Sequence, residues 1–301
     1  MFIRYLIATF TIILATSSVH ADLLESYLDL SGSYRHDAIS AHICSRDKEQ
    51  SVVTEEHLKA KDLKLYQLGV KSQVVIYDWF LRGEAYWGTT DNGVYREVTK
   101  ISHYSDWKTK SHLHKGRTKD YTIGGGYFFS LCGLLDIGPA AGWSYQWQEF
   151  TVKKIRLNGV PGESRSHLHY TNHWQGPWIG LDAQMDFLGF NCRTGYSYHW
   201  ATWNANWKLK NRSFQWMSFS EKRKSSDAHG QVFYVDLLWG FCPFVEMGVG
   251  FKWQRWEAKK GKGEKVPAYV PTGSRDLNVV DRVKHATWSS YVISVYLGVA
   301  F

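Results

Sequence analysis

The chain has 301 residues, a formal net charge of +8 and 16% aromatic residues, with 15 Trp and 18 Tyr against 6 Pro. Its mean hydropathy of −0.36 excludes a bundle of membrane helices, and past residue 21 no run reaches the about 18 consecutive apolar residues that a spanning helix needs. The aromatic load is heavy for a soluble domain and natural for a barrel girdled by Trp and Tyr at both membrane interfaces.

The chain opens Met1-Phe-Ile-Arg4, followed by an apolar run from Tyr5 to Ala15 and small residues at Val19 and Ala21. A basic start, a short apolar core and a small-residue cleavage site make 1–21 a secretory signal peptide. The remainder, 22–301, reads as one domain exported to the bacterial outer membrane.

Ten alternating segments follow, at about Leu28–Cys44, Leu63–Ile76, Phe80–Gly88, Tyr121–Ser130, Leu135–Val152, Trp178–Phe187, Phe190–Trp203, Gln231–Leu238, Phe244–Glu257 and Thr287–Phe301. Long and short connections alternate between them. The fold class expected is all-β, a transmembrane antiparallel β-barrel of about ten strands with long extracellular loops and short periplasmic turns. In the ninth segment Val245, Met247, Val249, Phe251 and Trp253 alternate with Glu246, Gly248, Gly250, Lys252 and Gln254. Such period-2 alternation puts the apolar series in lipid and the polar series in the lumen. Extended to the other segments, it assigns Lys71, Arg82, Glu84, Asp136, Asp182, Asp186, Arg193, Asp236, Glu246 and Lys252 to the lumen.

The last segment carries an apolar face of Tyr291, Ile293, Val295, Leu297, Val299 and Phe301, two residues apart. A greasy strand ending on Phe is expected to be the assembly signal read by the barrel assembly machinery. As tenth strand it closes against the first, so that no edge is left in lipid.

Trp79 and Trp239 fall at short turns, while Trp87, Trp147, Trp200, Trp203, Trp253, Trp256 and Trp288 gather near the opposite strand ends. Two aromatic belts are expected from this placement. Of the four cysteines, Cys132, Cys192 and Cys242 lie by periplasmic turns and Cys44 near an outer end. A Cys192–Cys242 bridge, cross-links to neighbouring envelope proteins and free thiols all stay open. His167, His169 and His173, with His112 and His114, are the weak metal candidates, since no Cys or acidic residue stands at ligand spacing. No metal and no cofactor is expected.

The loops 89–119, 154–177, 204–228 and 259–284 carry net charges of +4, +2, +4 and +4, and 46–61 is neutral. A basic outer face suits lipopolysaccharide phosphates and other anionic surfaces. The partners expected are therefore outer-membrane lipids and lipopolysaccharide, with self-association or disulfide-linked neighbours left open and no nucleic acid.

The strings Gly142-Trp143-Ser-Tyr-Gln-Trp147, Trp178-Ile-Gly-Leu181, Gly195-Tyr-Ser-Tyr-His-Trp200 and the closing Tyr291–Phe301 resemble the omptin-type barrel of Gram-negative outer membranes. More narrowly, the chain is similar to the Protochlamydia outer membrane protein family, omptin-shaped barrels of Chlamydia-related symbionts regarded as porins. The resemblance implies a porin or narrow solute channel. The alternative is a surface adhesin or structural barrel acting through its basic loops. An omptin-like protease comes last. Its Asp-x-Asp pair would fall on Tyr104-x-Asp106, which lacks the first aspartate, and Asn204-Ala-Asn206 stands where its Asp-x-His belongs. Asp227 and His229 form an Asp-x-His at the far end of that loop, which leaves Asp106, Asp227 and His229 as weak catalytic candidates and no enzyme expected.

Overall fold

The computed structural model describes residues 24–46, 52–101, 107–131, 133–153, 166–211, 219–242, 244–263, 266–267 and 278–300. Its strands are β1 (Leu24–Arg46), β2 (Val52–Ile76), β3 (Trp79–Ile101), β4 (Trp107–Tyr127), β5 (Phe129–Leu131), β6 (Leu135–Lys153), β7 (Ser166–Phe187), β8 (Phe190–Asn211), β9 (Phe219–Cys242), β10 (Val245–Gly263), β11 (Val266–Pro267) and β12 (Asn278–Ala300). Ten of them make one closed antiparallel wall in the order β1-β2-β3-β4-β6-β7-β8-β9-β10-β12, with β12 returning to β1. The short β5 lies beyond β4 and pairs β6, and β11 pairs β12.

The closing seam runs from Tyr27↔Ala300 to Arg46↔Val280. Closure satisfies the backbone groups that an open edge would leave bare in lipid. At the periplasmic end the hairpins are tight. Leu188 and Gly189 both take positive φ, 49° and 80°, as a two-residue type I′ turn between twisted strands demands.

The outer connections are much shorter than the sequence suggests. Residues placed in long loops are instead strand: β2 starts at Val52, β3 runs to Ile101, β7 starts at Ser166 and β8 runs to Asn211. A 25-residue strand such as β2, at ~3.4 Å per residue and ~45° tilt, rises roughly 60 Å, more than twice the ~25 Å apolar band of such barrels. The wall therefore stands well above the bilayer.

The phase of the alternation reverses at the membrane surface. On β1 the inward side chains are Asp29, Ser31, Ser33, Arg35 and Asp37 in the lower part, then Ile39, Ala41 and Ile43 above, all buried. On β7 the lower inward residue Asp182 gives way to Trp174, Tyr170 and Leu168, with His167, His169 and Thr171 on the outer side. In lipid the outside takes the apolar series; above the bilayer water is outside, and the interior takes it instead. Loop assignments rested on polar residues every second position, without the inverted phase behind them.

The lipid-facing belt has the expected aromatic rims. Tyr77, Trp79, Trp239 and Phe241 are exposed at the periplasmic end, and Trp87, Tyr121, Trp143 and Trp200 at the outer end. The belts do not take every Trp assigned to them. Trp203, Trp256 and Trp288 are 1%, 0% and 0% exposed and point inward, where they join Trp174 in the upper core.

Candidate functional site: a filled lumen and a basic rim

The lower lumen is a lattice of ion pairs that cross the barrel. Arg193 of β8 reaches Asp29 of β1 at 3.1 Å and Glu246 of β10 at 2.9 Å. Lys71 of β2 pairs with Asp236 of β9 at 2.6 Å, Arg82 of β3 with Asp182 of β7 at 3.1 Å, and Lys252 of β10 with Glu84 of β3 at 2.8 Å. Arg35 grips Asp37 through Nε and Nη2, 2.7 and 2.8 Å, and donates its remaining Nη1 to Asp120 of β4.

Aromatic faces complete the cationic sites. Arg193 sits 3.6 Å from the Tyr27 centroid, Arg82 5.0 Å from Trp178, Lys71 4.8 Å from Tyr296 and Arg35 4.9 Å from Trp288. These cation–π contacts gain strength where water is excluded. Glycines make the room: a Cβ on Gly69 would strike the Tyr86 ring, and one on Gly195 the Asp182 carboxylate and the Tyr234 ring.

Of the residues assigned to the lumen, Lys71, Arg82, Asp182, Arg193, Asp236 and Glu246 are buried there, with Glu84 and Lys252 half-buried. Asp136 is half-buried and accepts from Gln184 at 3.3 Å. Asp186 has the same parity as Asp182 but sits at the periplasmic rim, exposed beside the Leu188-Gly189 turn and accepting from Asn191 at 2.7 Å. The sequence missed Asp29, Arg35, Asp37 and Asp120, although their parity on β1 and β4 marks them as inward.

Above this lattice the lumen holds an apolar core from every wall strand: Ile39, Leu65, Tyr95, Leu113, Phe150, Trp174, Trp203, Val232, Trp256 and Trp288 are among its members. Trp256 stacks on Trp288, centroids 6.0 Å apart at 11°. A space beside Asp37, Thr118 and Gln148 measures about 10 Å³, no more than one water's probe volume. At the mouth Glu97 accepts from Tyr95 at 2.8 Å, and Arg223 lies over Trp207 and pairs with Glu56 at 3.3 Å.

The outer wall above the belt is basic. Lys59, Lys61, Lys64, Lys108, Lys110, Lys115, Arg117, Lys119, Lys222, Lys224, Lys259, Lys262 and Arg282 are exposed on it. Asp227 and His229 lie on this outside too, lining with Trp143, Pro177, Tyr198 and Trp200 a depression of about 400 Å³. His229 stands 3.9 Å from Glu257. Asp106 lies outside the described residues, as do the 1–21 segment, Cys132 and Phe301.

The histidine candidates are spread along one strand: His169 contacts Thr151 and Glu149, and His173 stacks on Tyr145. His112 and His114 are exposed on β4. Among the described residues the trio whose ligand atoms converge is instead His42, Glu55 and His57. Cys44, Cys192 and Cys242 are free thiols, so the bridge left open between Cys192 and Cys242 is not formed. On β12, Tyr291, Ile293, Val295 and Leu297 are exposed to the lipid side, and Val299 is half-exposed.

Residues 29–301 match the family described as Protochlamydia outer membrane protein. The chain belongs to that family. It is thus an outer-membrane β-barrel protein, located in the bacterial outer membrane. Among solved structures it is similar to the outer membrane protease OmpT from Escherichia coli, at 12% identity and TM-score 0.64, over 93% of this chain and 96% of that one. That likeness shows the fold. The outer membrane protein OprG from Pseudomonas aeruginosa matches at 9% identity and TM-score 0.32, over 93% and 97% of the two chains. No curated protein matches the sequence.

Proposed function

We propose that this barrel works from its outside, as a surface-interaction and structural barrel that presents a tall basic wall to anionic polymers of the cell surface. The observation that carries this reading is the burial of the lumen lining. Arg35, Trp256 and Trp288 are 0% exposed and Asp29 2%, whereas the lining of an open aqueous pore would be wet. Small barrels of about eight strands are filled by side chains, and open channels belong to about 16–18.

The wall supplies what the interior does not. Its exposed lysines and arginines climb from Lys119, paired with the belt residue Trp87, up to Lys108, paired with Val98, and a mainly positive field of this kind draws polyanions. Outer-membrane lipids and lipopolysaccharide are the partners this reading needs. The C-terminal strand serves the barrel assembly machinery. Asp227 and His229 are taken as wall residues, and the chain as a binding protein without peptidase activity.

Retention on a sulfated polysaccharide column tests the reading. The refolded protein is expected to bind at about 0.1 M salt and elute well before about 1 M, as the Debye length falls from about 10 Å to about 3 Å. Lys108→Glu/Lys110→Glu/Lys222→Glu/Lys224→Glu should elute earlier. Equal elution of this variant and the wild type would sink the proposal.

A second reading, the porin or narrow solute channel, draws on the charged series through the lower lumen and on the family resemblance. It requires the cross-lumen pairs to part and the Trp cluster to move aside.

A further inference from the structure

Near the outer end of the closing seam, three neighbouring strands each present a histidine in one cross-strand row. His42 of β1 is the register partner of His57 on β2 and of His285 on β12. The His42 and His57 rings stack with centroids 4.1 Å apart, and His285 sets its ring edge-on to His42 at 5.3 Å. One row further out, Cys44 faces Glu55.

The donor atoms converge. His42 Nε2 lies 2.6 Å from Glu55 Oε1, and His57 Nε2 lies 3.8 Å from the same oxygen. Cys44 Sγ stands 3.8 Å from His42 Nε2 and 4.0 Å from Glu55 Oε1. Zinc-to-ligand bonds of about 2.0–2.3 Å in a tetrahedron put ligand atoms roughly 3.3–3.8 Å apart. Three of these four separations are already close to that, and the His42–Glu55 contact needs only to open by roughly 1 Å as an ion replaces the hydrogen between them; Cys44 stands outside the converging trio and has to turn its thiol toward His57.

The backbone is bent toward this place. A register shift on the seam, His42↔His285 followed by Ile43↔Val283, leaves Lys284 as the extra residue. Its ammonium lies 3.4 Å from Glu55 Oε1 and is 49% exposed, so a cation already occupies the carboxylate and can swing into water. Bulges of this kind re-aim side chains and gather at functional places.

We propose that this row is a binding site for one divalent cation of the zinc class, ligated by His42 Nε2, His57 Nε2 and Glu55 Oε1, with the Cys44 thiolate as fourth ligand. Imidazole, carboxylate and thiolate together suit Zn²⁺ and its spectroscopic substitute Co²⁺ rather than Mg²⁺ or Ca²⁺. The ion would tie β1 to β2 beside the seam, above the membrane, where no lipid pressure holds the strands.

The test uses the full chain refolded in detergent, stripped with a chelator and titrated with Zn²⁺ by calorimetry, then with Co²⁺ by absorption. One ion per chain is expected. Affinity should fall by at least about tenfold, a loss that second-shell changes alone can reach, in His57→Gln and in Glu55→Gln, and stay unchanged in His169→Gln. The Co²⁺ complex should show thiolate charge-transfer absorption that Cys44→Ser abolishes. A heat-modifiable band shift confirms that each variant is folded. Two results would overturn the site: no saturable binding at about 0.1 mM, the weak end of specific affinity, or equal affinity in wild type and His42→Gln/His57→Gln. Lack of charge-transfer absorption in the wild type would overturn the Cys44 ligand.

Discussion

Lys71 on β2 and Asp236 on β9 meet inside the barrel, Nζ 2.6 Å from Oδ2, although β1, β12 and β10 stand between their strands. Both side chains are 7% exposed. Removing one partner strands a buried charge, so Lys71→Ala should cost about 3–5 kcal/mol, while Lys71→Met/Asp236→Leu should recover most of that loss. Urea unfolding in lipid vesicles, run as a double-mutant cycle, measures both.

The upper core obeys the packing rules of a soluble interior. Trp256 is fully buried between Trp288, Trp174 and His199. Trp256→Ala should therefore cost about 3–5 kcal/mol. Trp200→Ala, on the half-exposed outer belt, should cost less than half as much in the same unfolding assay. Equal costs would mean that the inner aromatics are not packed as a core.

On β12 the two faces have opposite tolerances. Leu297 is 54% exposed among lipid-facing neighbours, and a Lys there should cost about 2–4 kcal/mol, enough to depress assembly into membranes. Ser294 is buried and shares a 2.8 Å hydrogen bond with Ser33 across the seam. Ser294→Ala should cost about 1 kcal/mol and leave assembly intact. The heat-modifiable fraction recovered from outer membranes reads out both.

The mouth should respond to pH. Burial, with the Glu56 carboxylate nearby, raises the Glu97 pKa to about 7, above the ~4.3 of a free glutamate. Between those values the folded chain holds the proton more firmly than the unfolded one. The stability Glu97 contributes is therefore fully present below about pH 4.3 and is lost as pH rises through about 7. Thermal midpoints of the wild type minus those of Glu97→Gln should show this decline across that window, and a flat difference would refute it.

How much of this was legible depends on where the solvent lies. In the lipid zone the period-2 pattern has a strong outer series, so the residues at 245–254 and 178–187 revealed strand, face and lumen charge together. Above the bilayer the same period persists with small or aromatic inward residues, as in Ala201, Trp203, Ala205 and Trp207, all buried. Thr202, Asn204, Asn206 and Lys208 on the other side make that stretch look like loop. The cross-lumen partners had no sequence signal, because Arg193 and Asp29 are far apart in the chain and meet only when the barrel closes. For the histidine row the obstacle was register: His42, His57 and His285 align only after three strands pair.

The filled lumen is open to test by planar-bilayer recording of the refolded wild-type protein in concentrated potassium chloride. Insertion without single-channel steps above leak is the expected result. Reproducible unitary conductance from the wild type would contradict it and restore the channel reading.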